Sequence, residues 1–207
     1  MSSDLNGKKV LVTGASSGIG LATVETFARL GATIALNYLP VDPRGARETI
    51  DRLNKEGLDV RGAPGDVSKP GEAQSMVQQV IQAFSGLDYL VNNAGVSCTK
   101  APIPERDLDR LTEDFWNAIL TTNLIGPFRC AKAAAEALRQ SRGAIVNTAS
   151  TAGVHTGGSS MAYSASKAGL INLTKNLARG LAPEVRVNAV APGPPAHWRV
   201  EASHQID

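Results

Sequence analysis

Short apolar runs rich in β-branched residues alternate along this chain with longer segments whose apolar positions recur at helical spacing. Such alternation is produced by strands joined through crossover helices, giving an α/β fold with a doubly wound parallel sheet and helices on both faces. Lys9 to Thr13 reads as a first strand, Gly14 to Gly20 as a glycine-rich turn, and Ile19 to Leu30 as a helix ended by Gly31. Ala32 to Asn37 is a second strand, and Asp42 with Pro43 reads as the N-cap and first-turn proline of a helix that Gly57 stops. Asp59 to Ala63 is a third strand, Pro70 to Phe84 a helix, and Leu87 to Asn92 a fourth strand running into Asn93-Ala94-Gly95. Cys98 to Leu111 reads as a loop with a short irregular helix.

Glu113 to Gln140 keeps helical period but contains Gly126-Pro127. Proline removes a backbone donor and crowds the preceding turn, so a kink is expected just after Asn123. Gly143 to Ser150 is a fifth strand, Met161 to Leu181 a long helix, and Val185 to Ala191 a sixth strand ending at Pro192-Gly193. The pattern predicts one domain over residues 1–193, followed by an irregular tail, 194–207, with no strand pattern.

A chain of 207 residues suffices for one domain with a substantial core. Its formal charge of +2 comes from interspersed acids and bases without a basic run, which argues against a nucleic-acid partner. Met1 to Lys9 lacks the apolar core of a signal peptide, and no apolar run approaches the roughly 20 residues of a membrane span. A cytoplasmic protein without a membrane partner is expected. Cys98 and Cys130 have no metal-ligand spacing and read as reduced thiols, so no metal site is expected.

Two segments carry candidate chemistry. Thr13-Gly14-Ala15-Ser16-Ser17-Gly18-Ile19-Gly20 follows a strand and opens a helix, where free N–H groups and the helix dipole receive a pyrophosphate. Side chains at the glycines would block that approach. The spacing Gly-x3-Gly-x-Gly differs from the G-x-G-x-x-G fingerprint and lacks the Lys-Ser/Thr ending of a triphosphate loop. Tyr163 and Lys167 stand four residues apart on a helix and so share a face. An ammonium beside a phenol lowers the phenol's pKa toward working pH, which suits it to proton transfer.

The loop Thr13 to Gly20, the turn Asn92-Asn93-Ala94-Gly95, Asn123 in Thr-Asn-Leu-Ile-Gly, Ser150, Tyr163-x3-Lys167 and Pro192-Gly193 occur in one order at compatible spacings. Together they resemble the short-chain dehydrogenase/reductase family, from about Gly7 to Gly193. The resemblance implies a single Rossmann-like domain and an NAD(P)-dependent oxidoreductase acting on a ketone, a secondary alcohol or a 3-oxoacyl substrate. It implies that Tyr163 is the general acid/base, that Lys167 assists it and holds the nicotinamide ribose beside it, and that Ser150 binds the substrate oxygen. Asn123 would position a water linking Lys167 to solvent. Gly14, Ser16, Ser17, Gly18, Ile19 and Gly20 would surround the pyrophosphate, Asp66 and Val67 the adenine, and Asn93, Ala94 and Gly95 the adenosine side. Pro192 and Gly193 would meet the carboxamide, whereas Thr13 and Asn92 are expected to brace strands.

An acidic residue ending the second strand would accept the ribose hydroxyls of NAD and repel a 2′-phosphate. Asn37-Tyr38 stands there instead and offers donors to a phosphate, so NADP(H) is favoured over NAD(H). Family members continue past Pro-Gly through a substrate-covering segment, a helix and a seventh strand, whereas this chain stops at Asp207 without the Thr that often meets the carboxamide. Six strands are therefore expected, with the seventh missing, and a homodimer through the helices at 113–140 and 161–181. The missing cover also leaves open a dinucleotide-binding protein with little turnover. His155 to Met161 and Val96 to Leu108 are expected to wall the substrate pocket, with a small free carbonyl compound favoured over an acyl-carrier-protein partner.

Overall fold

Alternate residues of the first strand leave it on opposite sides, and that alternation organises the whole molecule. A computed structural model describes residues 5–41 and 43–193. Strand β1 (Lys9–Val12) sends Val10 and Val12 to one face and Leu11 to the other, all fully buried. Val10 and Val12 meet helix α1 (Gly18–Arg29) through Val24 and Ala28, and helix α2 (Arg44–Lys55) contributes Leu53 to the same core. Leu11 packs in a second core with Met76 and Val77 of α3 (Pro70–Phe84), and there it joins Leu138 of a later helix. A sheet buried on both faces needs continuous apolar strands, as the runs Val10-Leu11-Val12 and Ile34-Ala35-Leu36 provide.

Strands β2 (Thr33–Tyr38), β3 (Val60–Pro64), β4 (Tyr89–Asn92), β5 (Ala144–Thr148) and β6 (Arg186–Val190) complete the sheet. Its order among the described residues is β3-β2-β1-β4-β5-β6, and every pairing is parallel. The chain winds outward from β1 to β3, then returns to lay β4 against the free side of β1. A crevice opens where the winding reverses, at the carboxyl ends of β1 and β4. The glycine-rich turn leaves β1 there, and Asn93-Ala94-Gly95 leaves β4.

Both Pro70–Phe84 and Met161–Leu181 (α6) form as the spacing predicts. The second strand extends through Tyr38, and α2 begins at Arg44 with Pro43 in the capping position; the expected cap, Asp42, lies outside the described residues. The fifth strand stops at Thr148, two residues short of the expectation. Ser150 instead caps a short 3-10 turn, Thr151–Gly153, by accepting a hydrogen bond from the Ala152 N–H at 3.2 Å. The expected kink is a π-helical segment, Thr121–Ile125, between α4 (Glu113–Leu120) and α5 (Gly126–Ser141). Within it the Gly126 N–H donates to the Thr121 carbonyl, five residues back. Pro127 removes the donor that the Asn123 carbonyl would meet in an α-helix. No helix among the described residues is long and apolar enough to cross a membrane. The tail from 194 to 207 lies outside the described residues.

Candidate active site

A cleft of about 930 Å³ runs along the carboxyl ends of the strands, walled by the glycine-rich turn, the β2 end, the β3–α3 loop, Asn93 to Gly95, Ser150, and the start of α6. Gly14, Ser16, Ser17 and Ile19 line its near end, with Asn37, Tyr38, Asp66 and Val67 beside them. Ser150, Tyr163, Lys167, Pro192 and Gly193 line the other end. Gly18, Gly20 and Asn123 do not form part of the wall.

The three loop glycines divide their work differently from the expectation that all three clear space for a ligand. Gly14 has φ +59°, and a Cβ there would stand 2.6 Å from the Ala94 Cα; its missing side chain lets the β1 and β4 ends touch. A Cβ on Gly20 would run into the Gly14 carbonyl oxygen and would stand 2.5 Å from Asn93 Nδ2. Only Gly18, at φ +55°, faces open space. At the head of α1, Ser17 makes no side-chain cap and no acid occupies the first turn, so these N–H groups and the dipole remain available to an anion.

Thr13 and Asn92 brace the strands as expected. The Thr13 hydroxyl oxygen accepts from the Asn93 and Ala94 N–H groups at 3.0 and 3.1 Å. Asn92 Nδ2 donates to Asn147 Oδ1 at 2.9 Å and to the Pro127 carbonyl at 3.3 Å. Asn93 donates from Nδ2 to the carbonyls of Thr13 and Gly14, so it too holds the turn. Asp66 Oδ1 accepts from the Ser68 N–H at 2.8 Å, fixing the loop that carries it, and Arg129 of α5 donates to the carbonyls of Val67 and Ser68.

One expectation needs correction. Asn37 is only 2 % exposed, and its Nδ2 donates both protons to protein carbonyls, Ala63 O and Gly65 O, each at 2.9 Å. No proton remains for a phosphate. Tyr38 is also packed, its ring against Gly62 of β3.

At the other end, Tyr163 and Lys167 share the first two turns of α6, started by Ser160, whose hydroxyl accepts from the Tyr163 N–H at 3.1 Å. The Lys167 ammonium lies 5.7 Å from the centre of the Tyr163 ring and donates to the Thr148 carbonyl at 2.7 Å. It is 3 % exposed, and burial pulls its pKa down from 10.5 to about 8. The thiol of Cys130, in the core away from this cleft, is pushed up to about 12 by the same cause.

Asn123 reaches this group from the π segment. Its Oδ1 accepts from the Val96 N–H at 2.8 Å, and its Nδ2 donates to the Val96 carbonyl and to the Ser166 hydroxyl at 2.9 and 3.1 Å. The Ser166 hydroxyl in turn donates a hydrogen bond to the Tyr163 carbonyl at 2.7 Å. A Cβ on Gly95 would stand 3.3 Å from Asn123 Oδ1 and 3.4 Å from the Lys167 ammonium, so the Gly95 backbone lies directly against both groups. Sequence reasoning missed Thr148 and Ser166. Thr148 acts through its backbone, which leaves no side-chain signal, but Ser166 follows Tyr163 by three residues and so sits on its helix face.

The family model for short chain dehydrogenases matches residues 8–199. This chain belongs to the short-chain dehydrogenase/reductase family. A 3-oxoacyl-acyl-carrier-protein reductase FabG from Staphylococcus aureus strain Mu50 is 39% identical over 190 residues, covering 90% of this chain and 74% of that protein. The Thermotoga maritima reductase of the same name is 38% identical over 200 residues, with 91% and 74% covered. A short-chain alcohol dehydrogenase crystal structure from Sinorhizobium meliloti superposes with a TM-score of 0.83 at 34% identity, covering 97% of this chain and 79% of that one. One of a short-chain dehydrogenase/reductase from Burkholderia xenovorans gives 0.82 at 36%, with 89% and 76% covered. The short-chain dehydrogenase/reductase fold accounts for the six-stranded parallel sheet, and the chain is an oxidoreductase of that family.

Proposed function

We propose that this dehydrogenase/reductase interconverts a small free ketone and its secondary alcohol with NADP(H) as hydride carrier. The observation that carries the reading is the buried Lys167 ammonium, held by the Thr148 carbonyl beside the Tyr163 ring, in the same cleft as the uncapped head of α1. The residues present fit a nicotinamide dinucleotide. The open α1 terminus and the clear space at Gly18 suit its pyrophosphate, and Asp66, Val67, Asn93, Ala94 and Gly95, which line the same cleft, would take its adenosine end. Such a cofactor supplies a hydride to the carbonyl carbon and takes it back in the reverse direction.

Tyr163 gives its phenolic proton to the carbonyl oxygen as the C=O π electron pair moves onto that oxygen, leaving an alcohol and a phenolate. In the reverse direction the phenolate removes the alcohol proton. The Lys167 ammonium favours the phenolate electrostatically and would donate to the ribose, while the Ser150 hydroxyl would donate to the substrate oxygen. Asn123 holds Val96 and Ser166 through its side chain, leaving its backbone carbonyl for the water that returns protons to Lys167. Pro192 and Gly193, which line the same end of the cleft, would meet the carboxamide. With Asn37 unable to donate to a phosphate, the preference for NADP(H) rests on the absence of an acid at Asn37, Tyr38 and Leu39, where a carboxylate would repel the 2′-phosphate.

The 3-oxoacyl substrates named for the staphylococcal and Thermotoga relatives make acyl thioesters the first alternatives to a free ketone. The protein pairs as a homodimer through α4, α5 and α6, where Phe128 of α5 is 44% exposed and Ile125 of the adjoining π segment 39%; sedimentation equilibrium checks this, and a stable tetramer overturns it. Fluorescence titration with NADPH and NADH, followed by a panel of ketones and 3-oxoacyl thioesters, tests the rest, with Tyr163→Phe as control. NADPH binding and Tyr163-dependent turnover are expected. Tight binding without Tyr163-dependent turnover on any substrate would make this a binding protein instead.

A further inference from the structure

The side chain that the sequence offers as a phosphate donor is committed elsewhere in a specific way. Asn37 ends β2 between two loops that both border the cleft. Toward β1 it takes two consecutive N–H groups of the glycine-rich turn: Gly14 N–H donates to its Oδ1 at 3.0 Å, and Ala15 N–H to its backbone carbonyl at 2.9 Å. Toward β3 its Nδ2 donates to Ala63 O and Gly65 O, and the Gly65 N–H donates to the neighbouring Tyr38 carbonyl at 3.0 Å. The Asn37 side chain is 2 % exposed, and its two bonds toward β3 are buried, where an unmade partner has no water to replace it, while the bond from the Gly14 N–H lies at the cleft wall. Asn93 grips the carbonyls of Thr13 and Gly14 from the β4 side, so the turn is held from both neighbouring strands.

We propose that Asn37 is a positioning residue that locks the glycine-rich turn to the β3–α3 loop, setting the affinity for nicotinamide dinucleotides without choosing between NADP(H) and NAD(H). It rests on the reading of the cleft as a dinucleotide site. The amide is suited to this because it accepts on one side and donates twice on the other. A carboxylate in the same rotamer would face Ala63 O and Gly65 O with no proton to give. The turn it fixes carries Ser16, Ser17 and the head of α1, which would meet the pyrophosphate common to both cofactors, while Asp66 beside Gly65 lines the same cleft and would meet the adenine common to both.

The test compares the wild-type chain with Asn37→Ala and Asn37→Leu, the second of similar size without hydrogen-bonding groups. Dissociation constants for NADPH and NADH are measured by fluorescence, and kcat at saturating cofactor on a ketone that the wild type turns over. Both dissociation constants are expected to rise together by about tenfold, equivalent to about 1.4 kcal/mol of lost pre-organisation, with kcat within about twofold of wild type. A rise confined to NADPH would make Asn37 a phosphate contact and overturn the proposal, as would unchanged constants for both. A purely structural role would lower the active fraction, and so kcat, without moving either constant. Amide hydrogen exchange provides an arm independent of cofactor and of variant folding: in the wild type the Gly14 N–H is expected to be protected, and rapid exchange there overturns the lock. Failure of the wild type to bind either cofactor, with Gly14 protected, sinks the functional reading and leaves the lock standing.

Discussion

Replacing Lys167 with methionine separates what the ammonium does for proton transfer from what its burial does to the fold. The pKa falls from 10.5 to about 8 because water is excluded from the charge. At about 1.36 kcal/mol per pH unit, this corresponds to about 3 kcal/mol. Between about pH 8 and pH 10.5 the unfolded chain carries this proton and the folded chain does not, so wild-type stability rises with pH across that window. Below about pH 8 both states are charged and the full burial penalty is present. Methionine binds no proton in either state, so this site then contributes no slope; the lost bond to Thr148 O adds an offset that does not vary with pH. Urea unfolding of both proteins without cofactor, at pH 7 and at pH 10.5, yields two stability differences in which all shared titrations cancel. The methionine variant should be favoured by about 3 kcal/mol more at pH 7 than at pH 10.5, although its reductase activity is lost. A difference that stays the same at both pH values refutes burial as the origin of the perturbation.

Gly95→Ala should lower kcat by about two- to fivefold by shifting the Asn123 amide a few tenths of an ångström from the new methyl group, with thermal stability changed by about 1 kcal/mol; steady-state kinetics and calorimetry read the two effects. Asn123→Ala should cost about 1–3 kcal/mol in urea unfolding, because it removes a fully buried amide bonded to the Val96 N–H, the Val96 carbonyl and the Ser166 hydroxyl. Cys98, which is exposed, should react with a thiol reagent in the native protein, whereas Cys130 should stay silent until unfolding, since a thiol pushed up to about 12 forms almost no thiolate at neutral pH.

Period and punctuation made the architecture legible. Pro70 sets the start of α3 because its missing N–H is no loss at a helix head, and Ser160 starts α6 by capping Tyr163 N–H; both leave marks in the sequence. Pro127 gave the position of the break after Asn123, but not its form: a π turn depends on how α4 and α5 each pack, which only the assembled helices decide. Tyr163 and Lys167 could be placed together because i and i+4 share a helix face. The role of Asn37 could not be read in the same way. Its partners lie on two segments far apart in the chain, Gly14 after β1 and Ala63 and Gly65 at the end of β3, joined only by the registers of β2 with β1 and β3. A residue type suited to a phosphate is equally suited to three backbone groups, and burial alone decides between them.

The π segment makes chain length itself a structural variable here. An α-helix turns by about 100° per residue, so one residue too many in the turn Thr121–Ile125 rotates α5 by about that angle relative to α4. With that offset α4 turns Ile119 inward while α5 turns Cys130, Ala134 and Leu138 inward. Deleting a single residue from Thr121–Ile125 would regularise the local hydrogen-bond ladder, yet bring the wrong faces of one helix or the other against the sheet. Natural variation in this stretch should therefore appear as exchanges of side chain at constant spacing, and an engineered one-residue deletion should be more damaging than any single substitution within it.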